Sequence, residues 1–458
     1  MATLHFLVGA AFLALGGAIQ LLSLVSLRFA GLLPLNYGML EPMANLTLMF
    51  GFATISLVGG IYYVLPRLTG TKIRPQGLAG FGLLATTGMV LAGLLVLFAG
   101  LGNGIQPLGL PSWVDIPLLL AISIPLVVTV ATIRRRVEER SFVTIWFALG
   151  GVIWLPMLYL AHLLNELPGI SSVTTAYSET FFSAGFVTMF VVTVGSGLVY
   201  YTVVKELDVP LASRQLALVG FWSLGFAAAW WGAAQLLFGP TPGWVAGVSA
   251  ALGLAFPLGA LANAANVSLT LEGSWSGMYD RPGSLSGVVG LYLTVGVAIV
   301  AALAGFRSIG AVAAQTPFWE AIEYAALGGI AVLFVASVGY SALPRLVGRR
   351  LESIPKARRF IRLILTGAVG VLVTMGAAGI VSGYAWLGGS NSATYIDAGE
   401  GWGAGVAGTH DALMLLAVIF GFVLFLGQLG FVNVMFGTLS RGKAIPQEVL
   451  VPKDPGDE

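Results

Sequence analysis

The chain has 458 residues, of which 57% are hydrophobic and only 9% charged, against roughly a quarter charged in soluble globular proteins. A net charge of +2 offers no basic field for nucleic acid. The absence of cysteine removes disulfides, thiolate catalysis, iron–sulfur clusters and thiolate-ligated haem, and three histidines leave little for a multi-histidine metal site. Twelve membrane spans of about 20 residues need about 240 apolar positions, which this composition supplies. The expectation is an all-α integral membrane protein.

Twelve apolar runs follow in chain order: 4–27, 44–66, 77–101, 116–133, 143–164, 180–205, 215–237, 243–268, 285–306, 318–343, 360–386 and 410–437. Pro117 and Pro125 interrupt the fourth. Met1–Phe6 lacks a basic region and the first run is too long for a cleavable leader, so it reads as the first helix. The chain is expected to form one twelve-helix membrane domain with a cytoplasmic tail over 438–458.

Basic residues set the expected orientation. All but two of the 22, Arg28 and Arg307, fall in the tail or in loops after even-numbered spans, including Arg134–Arg136 and Arg349–Arg350. Both termini are therefore expected on the cytoplasmic side. Glu41, Asp115, Glu166, Glu179, Glu320, Glu323, Asp397, Glu400 and Asp411 fall in outer loops or outer helix turns. Two readings of that bias stay open: a docking surface for a basic soluble partner, or simple avoidance of Lys and Arg outside.

A repeat runs through the chain. Tyr62 precedes Arg67 by five residues, Tyr200 precedes Lys205 and Tyr340 precedes Arg345, at inner ends of the second, sixth and tenth spans. The tyrosines lie 138 and 140 residues apart, which predicts three units of four helices.

The expected spans hold no charge at mid-membrane depth, where ion pumps place theirs. Thr188, Thr193, Ser196, Tyr200 and Tyr201 in the sixth span read as interhelical hydrogen-bonders. Gly59–Gly60, Gly195 with Gly197, and Gly367 with Gly370 read as close-packing positions. Gly399, Gly401, Gly403, Gly405 and Gly408 read as a flexible outer loop, since no strand precedes them to make a nucleotide fingerprint.

Several motifs together resemble the catalytic subunit of the haem–copper oxidases, in the C-type (cbb-type) and nitric oxide reductase branch. These are Glu41-Pro42-Met43-Ala44-Asn45 with Phe50-Gly51-Phe52 and Tyr62-Tyr63-Val64-Leu65-Pro66-Arg67; Gly197-Leu198-Val199-Tyr200-Tyr201; Phe221-Trp222-Ser223 with Trp230-Trp231-Gly232, Pro242 and Trp244; and the stretch from Gly328 to Arg345. The resemblance covers nearly the whole chain and implies the twelve-helix subunit I fold with pseudo-threefold four-helix units. It also implies six histidines: one on helix two and two on helix ten for haem, one on helix six and a pair on helix seven for copper.

None of the six is present. The matching positions are Ala44, Ala184, Ala234, Gln235, Ile322 and Tyr324, and the family's helix-seven tyrosine falls on Ala228 or Ala229. The three histidines lie elsewhere. His5 is expected to be solvated at the inner end of helix one. His162 and His410 are expected to cap helices or bond loops; with Glu166, four residues after His162, and Asp411, they are also the candidates for an outer-face metal site. Among other donors, Tyr324 and Met43 are conceivable ligands for a retained haem b.

The expected function is that of a cofactor-free, non-enzymatic homologue, a membrane subunit or scaffold of a respiratory electron-transfer complex. Its expected partners are membrane lipids and either other respiratory subunits or a basic periplasmic electron carrier at the acidic outer face; nucleic acid is not among them. The alternatives are an active terminal cytochrome c oxidase or nitric oxide reductase with unusual haem ligands, and a small-solute or gas channel bounded by Ala44, Ala184, Ala234 and Tyr324. The channel loses its basis if Trp230, Trp231 and Tyr324 fill that space.

Overall fold

The computed structural model of the protein describes residues 1–166, 169–227, 230–239, 241–389 and 402–445. Apolar runs set its long helices: α1 (Ala2–Arg28), α2 (Tyr37–Thr69), α3 (Gln76–Phe98), α4 (Ser112–Ile133), α5 (Val143–Leu163) and α6 (Ser172–Leu207). The second half has α7 (Arg214–Ala227), α8 (Gly243–Thr270), α9 (Pro282–Ala304), α10 (Phe318–Val347), α11 (Ile354–Gly389) and α12 (Trp402–Arg441). Eleven of these are long and apolar enough to cross a membrane among the described residues. Polar caps start two of them: Asn36 Oδ1 accepts from the Met39 N–H before α2, and Ser171 Oγ from the Thr174 N–H before α6, each satisfying a first-turn donor.

The exception is the seventh expected span. The chain is helical over Arg214–Ala227 and adopts a 3₁₀ turn over Trp231–Leu236. Packing explains the change. Trp231 stacks on Phe256 of α8 (centroids 5.5 Å apart) and on Trp319 of α10 (6.4 Å), and Gly232 lies against the Thr180 carbonyl and the Ala184 methyl of α6.

Other boundaries shift as well. Helix α12 continues to Arg441 and Arg349 pairs with Ala444, so the expected tail begins later than 438; residues 446–458 lie outside the described residues. Gly403, Gly405 and Gly408 belong to α12 rather than to the expected outer loop, while Gly399 and Gly401 lie outside the described residues.

The three repeat helices form the centre. In α2, α10 and α6 the most apolar windows are 100%, 94% and 89% buried, against 39% in α4 and 33% in α12. Glycines set the close approaches: Gly60 of α2 faces Leu198 of α6, and Gly195 of α6 faces Phe334 of α10. At Gly367 and Gly370, α11 meets Leu424 and Phe420 of α12 in the same way.

Each central helix contains a π-helical segment: Thr47–Thr54, Phe186–Val192 and Tyr324–Ile330. Their last residues are 138 residues apart both times. Each helix also ends in a left-handed residue, Gly70 (φ 66°), Asp208 (φ 53°) and Gly348 (φ 64°), a conformation that glycine tolerates best. The three-unit repeat suggested by the tyrosines thus extends to backbone geometry.

Candidate functional site

The positions that the resemblance matches to ligands on the three central helices lie where those helices meet, at or just before their π segments. Ala44 lies three residues before Thr47, Ala184 two before Phe186, and Ile322 and Tyr324 at the start of the third segment. All four side chains are buried.

On the side of Ala44, helices α1, α2 and α10 enclose a small cavity lined by Gln20, Ser23, Glu41, Ala44, Asn45, Glu320, Glu323 and Tyr324. Its volume is about 10 Å³, enough for the centre of one water molecule. Tyr324 donates its hydroxyl to the Gln20 carbonyl at 3.3 Å. Gln428 of α12 donates its amide to the Gly328 carbonyl at 3.0 Å, and Asn45 donates to the Pro107 carbonyl at 3.4 Å. Polar side chains therefore bind the helices to one another at this level.

On the other side, Ala184 and Ala234 are both buried. A methyl group added at Gly232 would stand 2.7 Å from the Ala184 methyl, so α6 and the 3₁₀ turn touch directly. Trp231 fills the adjoining space, as the sequence reading allowed, while Trp230 packs edge-on against Trp244 at 6.3 Å. The Gln235 carbonyl accepts from the Gln315 amide at 3.5 Å. Ala228 and Ala229 lie outside the described residues.

These residues fit neither haem nor copper. Ala44, Ala184, Ala234 and Ile322 carry no donor atom. The Tyr324 phenol is already engaged, and Met43 is buried in the apolar core. Haem iron requires an axial protein ligand, and copper sites draw on imidazole or thiolate.

The histidines sit differently from expectation. His5 is buried, 2% exposed, because α1 begins at Ala2 and packs its first turn on α2 at Gly59; its ring meets Tyr62 edge-on at 5.2 Å and Nδ1 lies 3.1 Å from the Met1 carbonyl. His162, expected to cap a helix or bond a loop, is also buried, 3% exposed, in an aromatic cluster with Phe182 (5.0 Å) and Tyr159 (5.9 Å), and its Nδ1 has no partner among the described residues. His410 is paired loosely with Asp411 at 3.9 Å, and Asp411 with Arg28 at 3.4 Å. The structure does not gather the candidate outer-face metal residues His162, Glu166, His410 and Asp411 into a ligand group: among the described residues no three His, Asp or Glu side chains converge as metal ligands, and the Glu166 side chain is not among those described.

The outer carboxylates mostly turn inward. Glu41, Glu320 and Glu323 line the small cavity, Asp115 accepts from the Tyr159 hydroxyl, and Glu179 accepts from the Gln106 N–H at 2.9 Å. Of the nine named above, Asp411 is exposed (56%); Asp397 and Glu400 lie outside the described residues. The described outer face is less acidic than the linear sequence suggests, because the carboxylates lie on helix faces directed at neighbouring helices.

Tyr200 bonds between helices as expected, donating to Asn263 Oδ1 of α8 at 2.8 Å. Thr188 and Thr193 instead donate to carbonyls of their own helix, Ala184 at 2.9 Å and Thr188 at 2.8 Å. The sequence reading missed Asn263 and Asn266, which receive Tyr200 from α8; Asn266 also donates to the Ser213 carbonyl at 2.7 Å. Two asparagines three apart share a helix face, and that spacing within an apolar span was the available signal.

The sequence profile described as "Cytochrome C and Quinol oxidase polypeptide I" matches residues 1–423. The chain belongs to this family. Similar subunit I proteins include the cbb3-type cytochrome c oxidase subunit CcoN1 of Stutzerimonas stutzeri, 23% identical over 77% of this chain and 76% of the relative. Cytochrome c oxidase subunit 1 of Rhodobacter capsulatus is 22% identical over 77% of this chain and 68% of its own length. A solved haem–copper terminal oxidase dimer has the same fold, with a TM-score of 0.77 at 15% identity over 97% of this chain and 85% of that one. This subunit I homologue is thus a multi-pass membrane protein of the haem–copper oxidase fold.

Proposed function

We propose that this subunit I homologue carries no redox centre and serves as a membrane-embedded structural subunit of a respiratory electron-transfer assembly. One observation carries the reading. Where the family places its histidines, this chain places Ala44, Ala184, Ala234, Gln235, Ile322 and Tyr324, and the space between Ala44 and Tyr324 is about 10 Å³. Pockets for cofactor-sized ligands run from roughly 300 to 1,000 Å³. The subunit's contribution is then to hold partners through its intramembrane surface rather than to pass electrons.

The inward-turned carboxylates favour other membrane subunits over a basic soluble carrier as partners. The exposed apolar residues of α3, α4 and α7, among them Phe81, Leu84, Leu120 and Trp222, supply lipid- and subunit-facing area. The bacterial relatives support residence in a prokaryotic inner membrane, and the distribution of basic residues supports cytoplasmic termini. Two other readings lack such support. An oxidase using Tyr324 as iron ligand must give up the bond to Gln20, and a channel needs an opening where about one water now fits.

The test is an optical spectrum of the detergent-purified protein, oxidised and dithionite-reduced, with metal analysis of the same sample. The expected result is no Soret band and no stoichiometric iron or copper. A stoichiometric haem band overturns the proposal. Solubilisation of native membranes under mild conditions is expected to recover the protein with other respiratory subunits; recovery as a lone monomer counts against the structural role.

A further inference from the structure

On the basic face, where the loop after α2 enters α3 beside the end of α4, the structure has an open cleft of about 590 Å³ lined by Lys72, Ile73, Arg74, Pro75, Gln76, Ala131 and Arg135. We propose that this cleft is a binding site for the headgroup of an anionic phospholipid. Three cations line it and no carboxylate does. The nearest acids in sequence, Glu138 and Glu139, lie further along the α4–α5 loop; Glu138 Oε1 accepts from the Arg140 N–H, and the Val137 N–H donates to the Thr69 carbonyl, which ties this loop to the end of α2.

The cleft is held in shape. Arg74 donates its N–H to Thr132 Oγ1 at 3.1 Å, and Thr132 itself is anchored to the Val128 carbonyl at 2.7 Å. The loop that carries Lys72 and Arg74 is thereby fastened to α4 next to Arg135. Helix α3, 23 residues long, begins at Gln76 without a side-chain cap, and Gln76 itself lines the cleft. A phosphodiester is a suitable acceptor there.

The surroundings select a lipid as the source of the phosphate. One to two turns along α3 from Gln76, Phe81 and Leu84 are exposed, and about one turn along α4 from Ala131, Val127 is exposed. These apolar surfaces run from the cleft toward the membrane interior, which is the path the acyl chains of a bound lipid follow. Lys72 and Arg74 lie between the ends of α2 and α3, and Arg135 lies just past the end of α4; each basic side chain near an anionic surface changes affinity by roughly fivefold.

The inference does not depend on the absence of haem. To test it, the full-length protein is purified in detergent, and phosphatidylglycerol and phosphatidylcholine are offered in competition and quantified after washing. The expected result is selective retention of phosphatidylglycerol, weakened by salt. Lys72→Gln, Arg74→Gln and Arg135→Gln should each lower its affinity about fivefold. Lys72→Arg and Arg135→Lys should preserve binding and so report intact folding, and Arg281→Gln, on the same face but outside the cleft, should leave it unchanged. Equal retention of both lipids, or retention indifferent to the three cations, overturns the proposal. Inorganic phosphate supplied in a third arm should neither displace the lipid nor raise the melting temperature; if it does both, the site takes free anions and the lipid assignment falls.

Discussion

The Tyr324 hydroxyl and the Gln20 carbonyl, 304 residues apart in sequence, meet at 3.3 Å across the central helix α10 and the N-terminal helix α1. The bond spans the place where the family resemblance implies haem ligation, and it turns a ligand position into a helix clamp. Tyr324→Phe removes it while keeping the ring. The variant is expected to lose about 1 kcal/mol of stability, measured as unfolding in detergent, with no change in the visible spectrum.

Restoring the implied ligands should not restore a cofactor. Ala44→His and Tyr324→His together put two imidazoles into a cavity of about 10 Å³. Ala44→His overpacks the core at a cost of about 1–3 kcal/mol, while Tyr324→His puts a smaller ring in place of the phenol and gives up the bond to Gln20. The double variant expressed with excess haem is expected to be less stable and to show no Soret band; a bis-histidine spectrum would show that the cavity opens on demand.

The three repeat tyrosines are buried alike but bonded differently. Tyr200 donates to Asn263 at 2.8 Å, whereas the hydroxyls of Tyr62 and Tyr340 are buried without a partner among the described residues. Tyr200→Phe should therefore cost about 0.5–1.5 kcal/mol. Tyr340→Phe should be neutral or stabilising, because it removes a buried polar atom that nothing satisfies. Equal losses for both would mean that an ordered water serves Tyr340.

The repeat and the long helices were legible in the sequence because each rests on residue identity or on a run of apolar positions. The spacing of Tyr62, Tyr200 and Tyr340 even anticipates the left-handed ends at Gly70, Asp208 and Gly348. What stayed hidden depends on side-chain direction and backbone register. Glu41, Glu320 and Glu323 look like an acidic rim until their helix faces are known. His5 looks like a solvated end until α1 is packed on α2. The break before Trp231 is invisible as well, since the apolar run continues through it and only the stacking of that indole on Phe256 and Trp319 explains why the α-helix is abandoned.

Gly59 is where α1 and α2 come closest at their inner ends. A methyl group added there would lie 2.6 Å from His5 Cβ and 3.5 Å from the Ala2 carbonyl, and His5 is held by the surrounding core. Gly59→Ala is expected to cost about 1–3 kcal/mol, whereas Gly88→Ala on α3, with nothing within 4 Å, should be neutral or stabilise by a few tenths through helix propensity. Thermal unfolding of the two variants side by side tests this.

The π segments make a prediction about deletions. A π turn accommodates an extra residue within an otherwise α-helical path, and hydroxyls take up carbonyls that the wider turn leaves free: Thr54 donates to the Met49 carbonyl and Thr193 to the Thr188 carbonyl, five residues back and 2.8 Å away in both cases. Removing one residue from such a segment lets the turn tighten to α while the helix on either side keeps its neighbours. Removing one residue from regular α-helix instead rotates everything beyond it by about 100°. Deletion of Ala326, inside the third π segment of α10, is therefore expected to yield folded, monodisperse protein at a level comparable with the parent. Deletion of Ala336, in the α-helical part of the same helix and equally buried, should abolish it, because the inner part of α10 beyond it would turn its core residues away from α2 and α6. Size-exclusion profiles of the two deletions decide the matter, and similar loss in both would mean that the π register is itself required to close the centre of the bundle.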